Sequence, residues 1–279
     1  MEMRWYCRLL TLFSAVVLLG YTLCVASDVD LANRALRRGD LLMDQEDLDA
    51  AISACTDAIR LDPKLAAAYV KRGTAFEKKR DFDRAIADET EAIRLSPKSA
   101  DAYINRGSAY SGRFAAFGKK FDDDKAIADF TSAIRVDPKS AKAYSFRGTA
   151  LGTKDLKKAI ADHTEAIRLA PKSADGYFIR GCTYLVNYEL DKCIADFTEA
   201  IRLNPNPRRA ADAYGNRGCA YLWKHDLDRA IADCDECIRL EPKSAWAFGV
   251  RGHAYEEKGE KIKAKEDLEK AKQLRAASK

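Results

Sequence analysis

The sequence predicts an all-α fold of stacked, antiparallel helix pairs, and three observations carry this prediction. An Arg-Gly pair recurs seven times, with large apolar residues at helical spacing around most of the glycines. A block with alanine or another small residue at positions seven apart follows each pair, and six of the seven prolines close such a block. The repeated glycines lie 33 to 41 residues apart, at Gly39, Gly73, Gly107, Gly148, Gly181, Gly218 and Gly252.

The composition fits a folded helical chain and disfavours several classes of function. Of the 279 residues, 47% are hydrophobic and 33% are charged, and the net charge is only +5. Nucleic-acid binding is disfavoured because it requires clustered basic surface. Seven prolines and 15 glycines are too few for a disordered or collagen-like chain.

The first helix of each pair is predicted from the residues four before and three after the glycine. In the fifth repeat these are Tyr177 and Tyr184 around Gly181, which share one helix face. Glycine inside a helix costs about 1 kcal/mol relative to alanine, so we expect a neighbouring helix to use the space. Small residues of the second helix, such as Ala85 and Ala92, are the expected neighbours.

The second helix of each pair ends at the proline, which cannot continue it. Four of the following junctions read Pro-Lys-Ser-Ala, and each serine is predicted to cap the next first helix. These serines are Ser99, Ser140, Ser173 and Ser244.

A helix pair of about 34 residues with this aromatic, glycine, alanine and proline pattern resembles the tetratricopeptide repeat. The resemblance covers residues 32–278 and implies a right-handed α-solenoid with a concave and a convex face. It also implies that the first helices line the concave groove and that this groove binds a protein or peptide. The predicted repeats span residues 32–65, 66–99, 100–140, 141–173, 174–207, 211–244 and 245–278.

Residues 1–26 are predicted to be a signal peptide or a membrane anchor. Arg4 and Arg8 precede an uncharged stretch over residues 9–27, the pattern of a secretory signal. The stretch is also long enough for an uncleaved helix in the inner membrane, whereas a lipoprotein signal is disfavoured because leucine precedes Cys24. Under each alternative the two arginines stay in the cytoplasm. We therefore expect the repeats to be exported, to a bacterial periplasm.

A second stripe on the first helices is predicted to form the peptide-binding groove. In the fifth and sixth repeats this stripe is apolar, and two tryptophans lie near it. It would suit an amphipathic helix or an extended apolar peptide, although these side chains could instead pack between adjacent first helices. The predicted groove residues are Phe178, Cys182, Leu185, Cys219, Leu222, Trp223 and Trp246.

Two insertions interrupt the regular spacing. The third repeat has seven additional residues, which contain Phe114, Phe117 and Phe121 and precede three aspartates. The phenylalanines are expected to be shielded from water, by packing or as a contact for a partner. The aspartates are expected to be a solvated N-terminal cap. A second insertion, residues 206–208, is expected in the loop before the sixth repeat.

Arginine precedes every repeated glycine, and aspartate recurs in six of the second helices. We expect each arginine to pair with one of these aspartates across the hairpin or the repeat interface, and so to orient the helices. A solvated pair of little energetic value is the alternative. The aspartates are Asp88, Asp129, Asp162, Asp196, Asp233 and Asp267.

No catalytic or metal-binding residue is predicted, and no cofactor. Cys234 and Cys237 have CxxC spacing, but they fall at core positions of a second helix, so packing is favoured over a disulfide or a metal site. The three histidines lie apart from any nucleophile at a recognisable spacing, and no glycine-rich phosphate loop occurs. The sequence therefore predicts a protein that is not an enzyme.

The predicted function is an exported, non-catalytic scaffold that binds a protein or peptide and no nucleic acid. The alternative is a structural organiser of an envelope complex, attached to the inner membrane through residues 9–26 and open to self-association. A small-molecule or lipid carrier is a third, less favoured alternative.

Overall fold

The computed structural model describes residues 28–118, 122–152, 154–203 and 206–277. These residues form fourteen consecutive helices and no strand, so the predicted all-α class of stacked helix pairs is confirmed. None of the described helices is long and apolar enough to cross a membrane. The predicted signal or anchor over residues 1–26 lies outside the described part of the chain.

The helices alternate as first and second members of hairpins. They are α1 (28–44), α2 (Leu48–Leu61), α3 (Ala66–Lys78), α4 (Phe82–Leu95), α5 (Ala100–Phe117), α6 (Asp122–Val136), α7 (Ala141–Leu151), α8 (Leu156–Leu169), α9 (Ala174–Val186), α10 (Leu190–Leu203), α11 (Pro207–Trp223), α12 (Leu227–Leu240), α13 (Ala245–Glu257) and α14 (Lys261–Ala277). The chain divides into two compact units, residues 1–138 and 139–279. The first contains α1–α6 and the second contains α7–α14.

In several hairpins the repeated glycine lets a bulky side chain of the second helix approach the first helix. A Cβ atom at Gly107 would lie 2.7 Å from the ring of Phe130, and one at Gly181 would lie 2.9 Å from the ring of Phe197. The expectation that small residues such as Ala85 and Ala92 occupy this space is wrong. Because the neighbour is large and fully buried, the glycine is required for close packing of the two helices.

Side-chain caps define where the helices begin. The four predicted serines each accept a hydrogen bond from the backbone N–H three residues on, as predicted. Aspartates cap four of the second helices in the same way, a regularity that the sequence analysis missed. These aspartates are Asp47, Asp81, Asp155 and Asp226.

Six arginine–aspartate pairs join the two helices of their hairpins, so the predicted pairing is confirmed. Each is bidentate, with Nε and Nη2 of the arginine donating to the two carboxylate oxygens at 2.7–2.8 Å. In several repeats the third nitrogen reaches the preceding hairpin. Arg180 Nη1, for example, donates to Thr164 Oγ1 at 3.2 Å. These arginines therefore set the positions of three helices at once.

The insertion in the third repeat mainly lengthens α5, which has 18 residues where α3 has 13. Gly118 ends the helix in the left-handed conformation, with φ of 61°. Phe117 is not shielded from water as expected, because its side chain is 66% exposed. Its ring touches that of Phe82 edge-on, with ring centroids 6.2 Å apart. Phe114 is also exposed, and Phe121 lies outside the described residues.

Two further expectations about the insertions are wrong. Asp122 is not a solvated cap, because it is almost fully buried and accepts two hydrogen bonds from Arg113, at 2.7 and 2.9 Å. Residues 206–208 do not form a loop. Asn206 caps α11 and Pro207 is its first residue, a position that proline favours. Both insertions therefore extend first helices.

Candidate functional site

The first helices of the last three repeats lie side by side in the second unit. Helix α11 contacts both α9 and α13, while α10 and α12 pack behind them. We call the surface formed by α9, α11, α13 and the turns that follow them the first-helix face. Every predicted groove residue lies on these three helices.

Five of the seven predicted groove residues form the floor of this face. Leu185, Cys219 and Leu222 are buried in the hydrophobic core. Phe178 and Cys182 are half-buried and pack against the same core, and the Phe178 ring lies 5.8 Å from that of Phe197. These side chains pack against neighbouring helices, as the alternative interpretation of the stripe expected. They therefore offer little surface to a ligand.

The two predicted tryptophans do face solvent. Trp223 is 41% exposed at the end of α11, and Trp246 is 48% exposed at the start of α13. The sequence analysis missed two further members of the surface, Val186 and Tyr188. Tyr188 is 72% exposed and stacks on Trp223, with ring centroids 5.0 Å apart and an interplanar angle of 13°. Four large apolar side chains are thus presented on one face.

The backbone of Tyr188 is in the left-handed region, with φ of 57°. The same position of other hairpin turns also has positive φ, at Arg80, His225 and Gly259 among others. A bulky residue in this conformation costs about 1–2 kcal/mol relative to glycine. The left-handed conformation is therefore a feature of the hairpin turn, and Tyr188 differs from the other turns in placing an exposed aromatic ring there.

One end of the face carries carboxylates beside aromatic rings. Asp175, Phe178, Arg209 and Asp212 line a small cleft of about 80 Å³. Arg209 forms an ion pair with Asp175. On the other side of α11, the Trp246 ring packs over the backbone of the glycine one turn after Asp212.

The other end of the face carries carboxylates beside histidines. Glu257 Oε2 lies 2.9 Å from His225 Nδ1, and Glu256 Oε2 lies 3.3 Å from His253 Nδ1. The nearby cation Lys224 is paired with Asp191. The polar groups of this end therefore include two carboxylates that have no lysine or arginine partner among the described residues.

The cysteines of the described residues are free thiols in or beside the core. Cys234 and Cys237 lie buried in α12, which matches the prediction of core packing. Burial raises the pKa of Cys193 to about 12 and that of Cys219 to about 11. Thiols held protonated in this way are poor nucleophiles and poor metal ligands. Among the described residues, no group of three or more His, Cys, Asp or Glu side chains could hold a metal ion.

In the first unit, one buried carboxyl group was not anticipated. Glu89 takes the position opposite the repeated glycine that Phe130 and Phe197 take in other repeats, and it is 1% exposed. Asn105 Nδ2 donates to its Oε1 at 3.2 Å, and its Oε2 has no hydrogen-bond partner among the described residues. Burial raises the pKa of Glu89 to about 9, so the group is protonated at neutral pH.

Comparisons with known proteins agree with this architecture. Family models described as tetratricopeptide repeat match residues 36–100, 70–123, 211–244 and 247–278, together more than half of the chain. A search of curated proteins finds no match to the sequence.

Several solved structures share the fold. A tetratricopeptide repeat protein from Parabacteroides merdae is 20% identical over 88% of this chain and 93% of its own, with a TM-score of 0.64. The pilF protein of Pseudomonas aeruginosa is 14% identical over 84% of this chain and 100% of its own, with a TM-score of 0.66. YrrB, described as a TPR protein with an unusual peptide-binding site, is 23% identical over 70% of this chain and 95% of its own, with a TM-score of 0.55. At these identities the likeness shows the fold alone.

Proposed function

The chain belongs to the tetratricopeptide repeat family, and on that premise we propose that it is an exported, non-catalytic scaffold. In this proposal it binds a protein or peptide through the first-helix face of its second unit. One observation carries the choice of face. Of the five large apolar side chains that the described residues of the second unit expose, four lie on the first-helix face. They are Val186, Tyr188, Trp223 and Trp246.

The location of these four residues supports binding rather than packing. Two of them, Tyr188 and Trp223, form a stacked and exposed aromatic pair. Exposed apolar surface of this kind favours an interaction site, and tryptophan and tyrosine are enriched where partners bind most tightly. Helices α10 and α12, by contrast, cover their outer sides with ion pairs such as Arg202–Glu199 and Arg239–Glu236. YrrB, a structure of the same fold, is described as having a peptide-binding site, which supports a peptide or protein as the partner class.

Export is supported by the arginines and the uncharged stretch of residues 1–26. The buried thiols are compatible with an oxidising compartment, because protonated and inaccessible cysteines resist disulfide formation. Mass analysis of the protein purified from its host tests export directly. A chain that begins near Ser27 is expected, and a chain that keeps Met1 and remains in the cytoplasm would contradict it.

Binding through the first-helix face is tested with a charge-inserting variant, Val186→Asp with Trp223→Asp. Both residues are exposed, so the fold should survive. Leu185 and Leu222 are unsuitable targets because they are buried. The matched control is Arg239→Asp on α12, also exposed. Affinity purification from the host is expected to lose the partner with the first-helix variant and to keep it with the control. Equal recovery by both variants would contradict the proposal.

A further inference from the structure

Helix α14 is more basic than the other second helices of its unit. Its residues include five lysines and one arginine against three acidic residues. By comparison, α8 has three cations against two acids, α10 has two against three and α12 has two against four. One of the acids of α14, Asp267, is already paired with Arg251 of α13. The exposed surface of α14 therefore carries an excess of positive charge.

Part of this charge lines a groove of about 530 Å³ beside α14, which we call the α14 groove. Lys261, Lys265 and Lys272 line it, are exposed, and form no ion pair with any described residue. Ala264 and Leu268 supply the apolar part of the lining. The α14 groove is thus a concave surface with an apolar base and a cationic rim.

The α14 groove corresponds to the place that α13 takes on the preceding repeat. Its apolar residues correspond, 34 residues earlier, to Ala230 and Cys234 of α12. These two pack in one hydrophobic cluster with Val250 and Ala254 of α13. A helix is therefore the element whose shape fits the α14 groove. At the positions of the three lysines, α12 has the apolar residues Leu227, Ile231 and Ile238.

Two carboxylates complete the lining, Glu256 and Glu269. Glu269 takes the position of Asp235, whose carboxylate accepts a hydrogen bond from Arg251 of α13. A helix in the α14 groove can thus place one arginine on Glu269, as α13 does on Asp235.

The lysines of the rim favour an acidic occupant. An apolar helix would partly desolvate three ammonium groups without counter-ions, and a basic helix would place like charges together. Carboxylates on the occupant would instead form charge-assisted hydrogen bonds with the lysines. An anionic membrane surface could supply negative charge, but a flat surface would leave the apolar base of the groove uncovered.

The spacing of the lysines specifies the pattern of the occupant. Lys261, Lys265 and Lys272 are related as i, i+4 and i+11, so they lie on one side of α14 and span about 16 Å at 1.5 Å per residue. A helix antiparallel to α14 meets them with carboxylates at its positions 1, 8 and 12. Its positions 5 and 9, on the same side, then lie over Leu268 and Ala264.

We propose that the α14 groove takes an acidic amphipathic helix of a partner protein, with its carboxylates on Lys261, Lys265 and Lys272 and its apolar residues on Ala264 and Leu268. This is a second docking site, beyond the proposed function, because the exposed aromatic residues of the first-helix face take no part in it.

The test uses the full chain and labelled, end-capped, alanine-rich peptides of fourteen residues. Each has leucine at positions 5 and 9 and arginine at position 6. The first has glutamate at positions 1, 8 and 12, the second has glutamine there, and the third has its glutamates on the opposite side, at positions 3, 7 and 10. Fluorescence anisotropy gives each dissociation constant.

Two double variants with the same change of charge are compared. The groove variant is Lys265→Gln with Lys272→Gln. The matched control is Lys263→Gln with Lys270→Gln, since these lysines are exposed on the same helix but do not line the α14 groove.

The first peptide is expected to bind about tenfold more tightly than the other two, with an affinity that falls as salt rises. The groove variant should weaken its binding about tenfold, and the control about twofold or less. Equal binding of the first and second peptides, or of the first and third, would overturn the inference, as would absence of binding by all three.

Equal losses in the two double variants would also overturn it, because they would show a general attraction of anions to α14, such as a membrane surface would exploit. Light scattering of the chain without peptide tests a second copy as the occupant. Self-association that only the groove variant loses would overturn the assignment to a partner protein. The proposed function is judged separately, by partner recovery with the Val186→Asp, Trp223→Asp variant.

Discussion

The guanidinium of Arg180 and the carboxylate of Asp196 face each other across the α9–α10 hairpin with two parallel hydrogen bonds of 2.7 Å. Both side chains are largely buried, 16% and 7% exposed, and the same geometry recurs in five other hairpins. The hydrogen bond to Asp196 raises the pKa of Arg180 further above its already high ordinary value, so the guanidinium stays charged at physiological pH. The pair is thus a fixed element of the hairpin.

A double-mutant cycle measures what this pair contributes. Removal of either partner in Arg180→Ala or Asp196→Ala leaves the other charge partly buried, so each variant should be destabilised strongly. We expect a coupling free energy of about 1–3 kcal/mol from urea denaturation. The exposed pair Arg202–Glu199 is the control, and its coupling should be much weaker than that of the buried pair because solvent screens it. Equal coupling in the two cycles would contradict an orienting role for the buried pairs.

The buried carboxyl group of Glu89 makes stability depend on pH. Its pKa of about 9 in the folded chain lies above the ordinary value of 4.5, so folding takes up a proton at neutral pH. The stabilisation is fully present below pH 4.5 and is lost as the pH rises towards 9.

The variant Glu89→Gln keeps the size of the side chain and cannot ionise. The free energy of unfolding of the variant should equal that of the wild type near pH 5. At pH 8 it should be higher than that of the wild type by at least about 1 kcal/mol. Thermal melts at the two pH values provide the measurement. A difference between the proteins that is the same at both values would show that Glu89 is ionised in the folded state.

The contribution of His163 to stability has the opposite pH dependence to that of Glu89. Burial lowers its pKa from 6.5 to about 4, so its contribution to stability is present above pH 6.5 and is lost as the pH falls towards 4. Phenylalanine occupies the same position at Phe197, opposite Gly181. We expect His163→Phe to be more stable than the wild type by about 1–2 kcal/mol at pH 5, with a smaller difference at pH 7. Urea midpoints that shift equally at both pH values would contradict this.

The strain at Tyr188 predicts a conflict between stability and binding. Asparagine tolerates the left-handed backbone conformation better than tyrosine does, so Tyr188→Asn should be at least as stable as the wild type in thermal melts. The same variant removes the ring that stacks on Trp223, and the affinity for the partner should fall. A variant that is less stable by more than about 1 kcal/mol would show that the stack has a structural role.

The helix pairs, the serine caps and the arginine–aspartate pairs were predictable from the sequence because each recurs with the repeat. The residue opposite the repeated glycine was not, because that position varies freely in bulk and charge among Cys55, Glu89, Phe130, His163 and Phe197. These residues share only their contact with a repeated glycine. The spacing of the glycines does not show which residue of the second helix makes that contact.

The candidate site was predicted less well than the fold. The apolar stripe of Phe178, Leu185 and Leu222 was recognised from the sequence. The burial of these side chains was not, because an apolar stripe on a helix can pack against a neighbouring helix or line a groove. Tyr188 was missed because turns are expected to be polar, and its role depends on Trp223 of the next repeat. The signal that could have found it is a large aromatic residue at a turn position that is arginine, histidine or glycine in other repeats.

Site-specific photocrosslinking tests the binding face most directly. A photoreactive phenylalanine analogue is placed at Trp223 or Trp246 on the first-helix face, and at Glu199 or Arg239 on the outer sides of α10 and α12, in protein expressed in its host. Adducts with one partner, identified by mass spectrometry, are expected from the two tryptophan positions and not from the other two. Equal yields of the same adduct from both faces, or adducts from α10 and α12 alone, would contradict the account.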